Sequence, residues 1–208
     1  MTHPSGNLFV IAAPSGAGKT SLVKALSESL TQFQISVSHT TRAMRPGEVD
    51  GQNYFFVDHE TFDAMASKQA FLEHATVFGN HYGTSRSWVH DHLREGTDVV
   101  LEIDWQGARQ IKTLFPKAVL IFILPPSMEA LKLRLQTRKQ DDSYTIERRM
   151  DAAQAEMSHY REFDYLVIND QFDVALRDLQ HIVQAMRLKM DVQIQKQPTL
   201  LDNLLKKK

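Results

Sequence analysis

Residues 8–20 read LFVIAAPSGAGKT, and the rest of the chain is organised around them. Leu8 to Ala12 is an unbroken apolar run of strand length, and TSLVKALSESL, from Thr20 onward, carries its apolar residues at helical spacing. Between them Ala13 to Thr20, APSGAGKT, follows the phosphate-loop pattern G-x-x-x-x-G-K-[ST], except that Ala13 stands where the first glycine would be. Gly16 and Gly18 can take backbone angles closed to other residues, so successive amides can converge on an anion. Lys19 adds a cation, and Thr20 a hydroxyl suited to magnesium. A strand, this turn and a helix N-terminus, in that order, form a phosphate site from unpaired amides and the helix dipole.

Composition narrows the possibilities. A chain of 208 residues, 42% of them hydrophobic, fits one domain with its own core. The formal net charge of -1 supplies no basic field to collect nucleic acid or an anionic membrane, so phosphate recognition has to be local. There is no cysteine, which removes disulfides and thiolate metal sites. The first residues, MTHPSGN, lack a charged and then apolar targeting pattern. The most apolar stretch, AVLIFIL (Ala118 to Leu124), stops at Pro125-Pro126 and is far too short to span a bilayer. The expectation is a cytoplasmic protein with neither a membrane nor a nucleic-acid partner.

Strand-like runs recur along the chain: LFVIA, ISVS (Ile35 to Ser38), VVLEID (Val99 to Asp104), AVLIFIL and YLVIN (Tyr165 to Asn169). They alternate with amphipathic segments, which predicts an α/β fold, a parallel sheet of about five strands flanked by helices. Between Arg42 and Gly83 the pattern changes to turn residues, aromatics and short strand-like pieces, as in a small inserted subdomain. TRKQDDSY (Thr137 to Tyr144) is charged, nearly devoid of apolar residues and flanked by helical patterns, as in a lid. A last helix is expected over about 172–190. The predicted division is a single domain with its core at 1–37 and 97–190, an insert at about 38–96 and a lid at about 137–149. A polar tail, 191–208, ends in three solvated lysines, Lys206 to Lys208.

Two constellations could carry chemistry. Glu102 and Asp104 sit at the carboxyl end of a strand, the edge at which parallel sheets bind ligands, with period-two spacing that puts both on one face. There they could organise magnesium or its water shell; Asp104 could equally cap the helix starting near Trp105. Arg42 and Arg45 bracket the loop of SHTTRAMRPGE (Ser38 to Glu48), where two guanidinium forks could hold a phosphate dianion. Their neighbours Tyr54, Phe55 and Phe56 alternate like subdomain core. His90 and His92 lack the spacing and nearby acids of a metal set and read as solvated helix surface.

Taken together, APSGAGK, SHTTR-x-x-RPGE, G-x-x-Y-x-F, FLEHA-x-VFGN-x-YGTS, IDWQG and VIND resemble a bacterial guanylate kinase over nearly the whole chain. Members of that family commonly open the phosphate loop with alanine, which accounts for Ala13. The resemblance implies a P-loop fold with a GMP-binding insert and a lid, transferring phosphate from ATP to GMP with Mg2+ in purine nucleotide recycling. It implies that Ser38, Arg42, Arg45, Tyr54, Glu73, Tyr82, Thr84 and Asp104 bind GMP. On the donor side it implies Ala13, Pro14, Ser15, Gly16, Ala17, Gly18, Lys19 and Thr20 in the loop, with Asn169 near adenine and Thr20 on the metal. Lys19, Arg42 and the lid residues Arg138 and Arg149 would be catalytic, with Arg134 and Arg148 assisting. Two departures stand out: Lys139 where many members have glycine, and His81 where tyrosine is frequent. The alternatives are a ribose bisphosphate kinase on the same scaffold and a catalytically silent module that binds protein ligands.

Overall fold

In the computed structural model, which describes residues 6–137 and 143–205, the strand Leu8–Ala12 (β1) is buried at every position. Its alternating side chains feed two cores, because successive residues of a strand point to opposite faces. Phe9 and Ile11 pack with Leu22 and Leu26 of α1 (Lys19–Ser29) on one face, and Leu8 and Val10 face the other.

After α1 the chain forms β2 (Phe33–Ser36) and then enters an inserted layer. This layer comprises β3 (His39–Thr40), β4 (Phe55–Phe56), α2 (His59–Ser67), β5 (Phe71–Val77) and β6 (Asn80–Ser85). It is followed by α3 (Arg86–Arg94), β7 (Asp98–Glu102), α4 (Trp105–Leu114) and β8 (Val119–Leu124). Next come α5 (Met128–Thr137), α6 (Ser143–Met157), a 3-10 turn (Ser158–Glu162), β9 (Tyr165–Ile168) and α7 (Phe172–Arg187). Two short helices close the described chain, α8 (Met190–Lys196) and α9 (Pro198–Leu205).

The main sheet has the order β2-β7-β1-β8-β9 with every pairing parallel, the α/β architecture expected. The loops after β1, β2, β7 and β9 therefore emerge at one edge, and strand order reverses beside β1, where such sheets bind ligands. The insert carries its own sheet, β4-β3-β6-β5.

Several boundaries differ from the sequence reading. The second strand is 33–36 instead of 35–38, because Phe33 is buried with its ring 5.9 Å from that of Phe9 and the chain turns toward the insert after Ser36. The third predicted strand stops at Glu102, since Asp104 caps α4 by accepting the Gly107 amide at 2.9 Å. Tyr54 precedes β4 and Phe55 is exposed; the insert is centred instead on Phe62, whose ring lies 4.5 Å from that of Phe71. His81 stacks on Phe62 at 5.3 Å, filling an aromatic place. The last long helix ends at Arg187, and the expected polar tail is helical through α8 and α9: Pro198 starts a turn, and Leu200, Leu201, Leu204 and Leu205 follow at helical spacing. Arg138 and Lys139 of the expected lid, and Lys206 to Lys208, lie outside the described residues. Among the described residues no helix is long and apolar enough to cross a membrane.

Candidate active site

The phosphate loop has the backbone its sequence requires. Gly16 and Gly18 lie in the left-handed region, with φ of 91° and 93°, and Gly18 opens α1. Ala13 is not among the residues with positive φ, so its position imposes no need for glycine. The Lys19 ammonium donates to the Ile103 carbonyl at 3.2 Å, and Thr20 donates its hydroxyl to the Glu102 carboxylate. Asn169 clamps the loop from behind: its amide donates to the Ala17 carbonyl at 2.7 Å, and the Asn169 carbonyl accepts from Arg134 at 2.8 Å. Gly16, Gly18, Arg134 and Asn169 border a cleft of about 450 Å³ that also reaches Thr137, Asp170 and Phe172.

On the other side of the loop lies a cavity of about 360 Å³. One wall consists of Ala13, Pro14, Ser15, Gly16, Gly18, Lys19 and Thr20. The rest of the lining brings in Ser38, Arg42, Arg45, Tyr54, Glu73, Tyr82 and Asp104, and Arg149 reaches it from α6. Residues more than a hundred positions apart thus meet at the carboxyl edge of the main sheet. Ala17, Thr84 and Asn169 stand outside this lining, all three buried. Arg148 is exposed and lines none of these cavities.

The two arginines are unlike each other. Arg42 is largely enclosed, its Nη2 2.7 Å from Glu48 Oε1 and its guanidinium 5.4 Å from the centre of the Tyr54 ring. Arg45 is exposed, with its amide donating to Glu48 Oε2 at 2.7 Å. Burial would raise the Glu48 pKa, but the bonds from Arg42 and Arg45 outweigh it and hold the carboxyl below its ordinary value. Tyr54 is pushed up to about 12, first by burial and then by the charge of Glu102, so its hydroxyl stays protonated and available as a donor.

Glu73 is only 3% exposed, although it sits on a strand whose alternation would allow a surface position. A bulge at Leu72, where the step from Phe71 to Glu73 faces the single step from Ser85 to Thr84, resets the strand there. Thr84 then donates to Glu73 Oε1 at 2.5 Å. Burial raises the Glu73 pKa, the Thr84 bond opposes it and the charge of Asp104 adds to it, leaving the group at about 7.

Two acids of this cavity, Glu48 and Glu156, were not assigned from the sequence, whereas Glu102 was weighed there with Asp104 for magnesium. Glu48 lies within the RPGE stretch, in view without a partner to define it. Glu156 gave no local signal: it reaches Ser15 from α6, accepting that phosphate-loop amide at 3.2 Å. Burial raises its pKa, against the Ser15 bond and the Lys19 charge. His92 stacks on Trp88 at 3.8 Å, and no group of three or more His, Cys, Asp or Glu suited to a metal occurs among the described residues.

Comparison with known proteins shows the family. The family described as Guanylate kinase matches residues 5–186. A guanylate kinase of Coxiella burnetii is 58% identical over 201 residues, covering 97% of this chain and 98% of that protein. One of Alcanivorax borkumensis is 59% identical over 200 residues, covering 96% and 97%. The crystal structure of guanylate kinase from Anaplasma phagocytophilum superposes with a TM-score of 0.77 at 34% identity, covering 91% of this chain and 90% of that one.

Proposed function

This chain belongs to the guanylate kinase family and is a kinase that converts ATP and GMP to ADP and GDP, and we propose that the 360 Å³ cavity is where the two phosphates meet. The observation that carries this assignment is the buried Glu73 carboxylate lining the same cavity as Lys19. Guanine presents N1-H and a 2-amino group side by side, and an ionised carboxylate accepts both; adenine offers neither and would leave that carboxylate desolvated and unpaired. Ser38 and Asp104 supply further polar groups at the base, and Tyr54 and Tyr82 donors toward the acceptor. Arg42 and Arg45 take the GMP phosphate, Arg42 held ready by Glu48.

On the donor side, the amides of Ser15 to Thr20 and the Lys19 ammonium receive the ATP phosphates, and Asn169 lies at the cleft suited to adenine. The Thr20 hydroxyl and the Glu102 carboxylate are hard oxygens next to Lys19, which fits Mg2+, an ion that keeps waters and phosphate oxygens as most of its ligands. Thr20 and Glu102 would hold the ion there, and it would supply neutralisation of charge developing on the donor phosphates. The remaining catalysis is positioning and electrostatics: Lys19, Arg42 and Arg149 surround the path of the transferred group, with Arg138 as a further cation from the sequence. No covalent intermediate is required. A cytoplasmic location and a role in purine nucleotide recycling belong to the same reading.

The test is a coupled assay of purified protein with ATP, Mg2+ and, in turn, GMP, dGMP, AMP, CMP, UMP and ribose 1,5-bisphosphate. Efficient turnover restricted to guanine nucleotides is expected. Preference for the ribose bisphosphate would overturn the acceptor assignment, and absence of turnover would favour a silent binding module.

A further inference from the structure

Gly107 has no backbone reason to be glycine. It lies in the first turn of α4, its φ is not left-handed, and the bond its amide gives to Asp104 Oδ1 at 2.9 Å could come from any residue but proline. Glycine is the poorest helix former after proline, so on local grounds alanine would serve better there. What glycine provides is space. A Cβ at this position would stand 2.4 Å from Glu73 Oε2, 3.1 Å from Glu73 Cδ and 3.0 Å from Ile103 Cδ1. The first of these is short of ordinary contact by about 1 Å.

Neither partner can yield freely. Glu73 Oε1 is tied to the Thr84 hydroxyl at 2.5 Å, and the two residues face each other in the β5–β6 register beside the bulge. The helix is fastened to the same strand one turn farther along, where the Gln110 side chain donates to the His74 carbonyl at 2.9 Å and accepts the His74 amide at 3.3 Å. The carboxylate is thus enclosed between a hydroxyl on one side and a bare Cα on the other.

We propose that Gly107 is a positioning residue for guanine selection, its missing side chain being the space that fixes where the Glu73 carboxylate stands. The inference rests on the reading of Glu73 as the acceptor of guanine N1-H and the 2-amino group. A Cβ at 107 would drive the carboxylate off the line of those two donors or off Thr84, without changing any charge. Its amide would still donate to the Asp104 cap, so the two acids that border the base are spaced by one residue: its N–H holds the first and its lack of a side chain admits the second.

The experiment compares Gly107→Ala, Glu73→Gln, Glu73→Asp and the Gly107→Ala/Glu73→Asp double variant. Each is assayed for kcat/KM with GMP and AMP, KM for ATP and thermal midpoint. Gly107→Ala should lower kcat/KM for GMP by roughly 10- to 100-fold, the scale expected of a misplacement near 1 Å. The GMP to AMP ratio should fall with it, while KM for ATP stays within about twofold. In that background Glu73→Asp, which draws the carboxylate back by one methylene, should cost less than it does alone, a non-additivity that marks direct contact. If Glu73→Gln leaves the GMP to AMP ratio unchanged, the base-reader assignment fails and the proposal with it. If Glu73→Gln collapses the ratio and Gly107→Ala leaves it intact, the proposal alone is overturned. Should Gly107→Ala fail to fold, a folded double variant supports the clash with Glu73, and an unfolded one overturns it.

Discussion

Thr84 donates its hydroxyl to Glu73 Oε1 at 2.5 Å, both residues being buried, and one bond does not offset the loss of solvent around that carboxyl. With a pKa of about 7 against an ordinary value of 4.5, Glu73 keeps its proton in the folded protein through a range in which the unfolded chain has lost it. Stability contributed by this group is therefore full below the unfolded value, declines as pH rises toward 7, and stays reduced above it. Glu73→Gln should be more stable than the parent at about pH 8, by an amount on the order of 3 kcal/mol, with little difference at about pH 4. Binding has the opposite dependence, because guanine requires the ionised form. Between about pH 8 and pH 6, KM for GMP should rise by roughly tenfold in the parent, and this component should vanish in the Gln variant. Denaturant unfolding and initial rates across that range check both signs; a parent whose KM for GMP ignores pH beyond the change in the Gln variant would refute the second.

Lys19 spends its hydrogen bond on the Ile103 carbonyl at 3.2 Å and packs no core. Lys19→Ala should fold normally and lose at least about 10²-fold in kcat, the scale of one preorganised donor aimed at developing charge. Circular dichroism together with the coupled assay separates the two effects, and near-normal GMP phosphorylation would remove Lys19 from the donor site.

Glu48 joins the two phosphate-binding arginines through separate oxygens, accepting from the Arg42 side chain and the Arg45 amide at 2.7 Å each. Removing it leaves Arg42 with one fewer anchor, its bond to the Ala43 carbonyl at 2.7 Å remaining, and keeps both cations. Glu48→Ala should raise KM for GMP by roughly 10-fold, less than Arg42→Ala, with KM for ATP little changed. Glu48→Gln, which preserves an acceptor, should recover part of the loss. Equal weakening of both substrates would assign Glu48 to the folding of the loop instead.

How much of this was legible in the sequence depends on where the information lies. The inner strands of the main sheet announce themselves because both faces are covered, so β1 and β8 read as continuous apolar runs. The edge strand β2 does not: Phe33 is flanked by the exposed Gln32 and Gln34, and the apolar residues after it drew the assignment two positions too far. Asp104 caps α4, one of the two readings weighed for it, and the same carboxylate borders the cavity. Glu73 was reached through the resemblance of FLEHA alone, because the bulge that turns it inward has no local signature. Glu156 could not be found at all: its partner Ser15 lies 141 positions away, and nothing in its helix distinguishes it from a solvated acid.

Far from the cavity, Arg187 and Asp98 form the ion pair on which the opposite edge of the main sheet depends. Asp98, 1% exposed at the start of β7, accepts from Arg187 Nε at 2.7 Å and from both nitrogens of Asn7, at 2.7 and 2.8 Å. Arg187 also donates to the Thr31 carbonyl at 2.8 Å, so the pair binds the end of α7 to β7, the lead-in to β1 and the turn before β2. Arg187→Ala would leave a carboxylate buried with only amide partners, and the loss should be about 3–5 kcal/mol. Replacing both residues, as Asp98→Leu with Arg187→Met, should cost markedly less than the sum of the single changes, because the expense lies in the uncompensated charge and not in the loss of attraction. The pair stands at the amino ends of strands whose carboxyl ends carry the chemistry. Kinetic constants for GMP and ATP should therefore remain within about twofold in every variant that stays folded at the assay temperature. Urea unfolding of the four proteins gives the coupling energy, and additive losses or a selective rise in KM for either nucleotide would contradict this account of the pair.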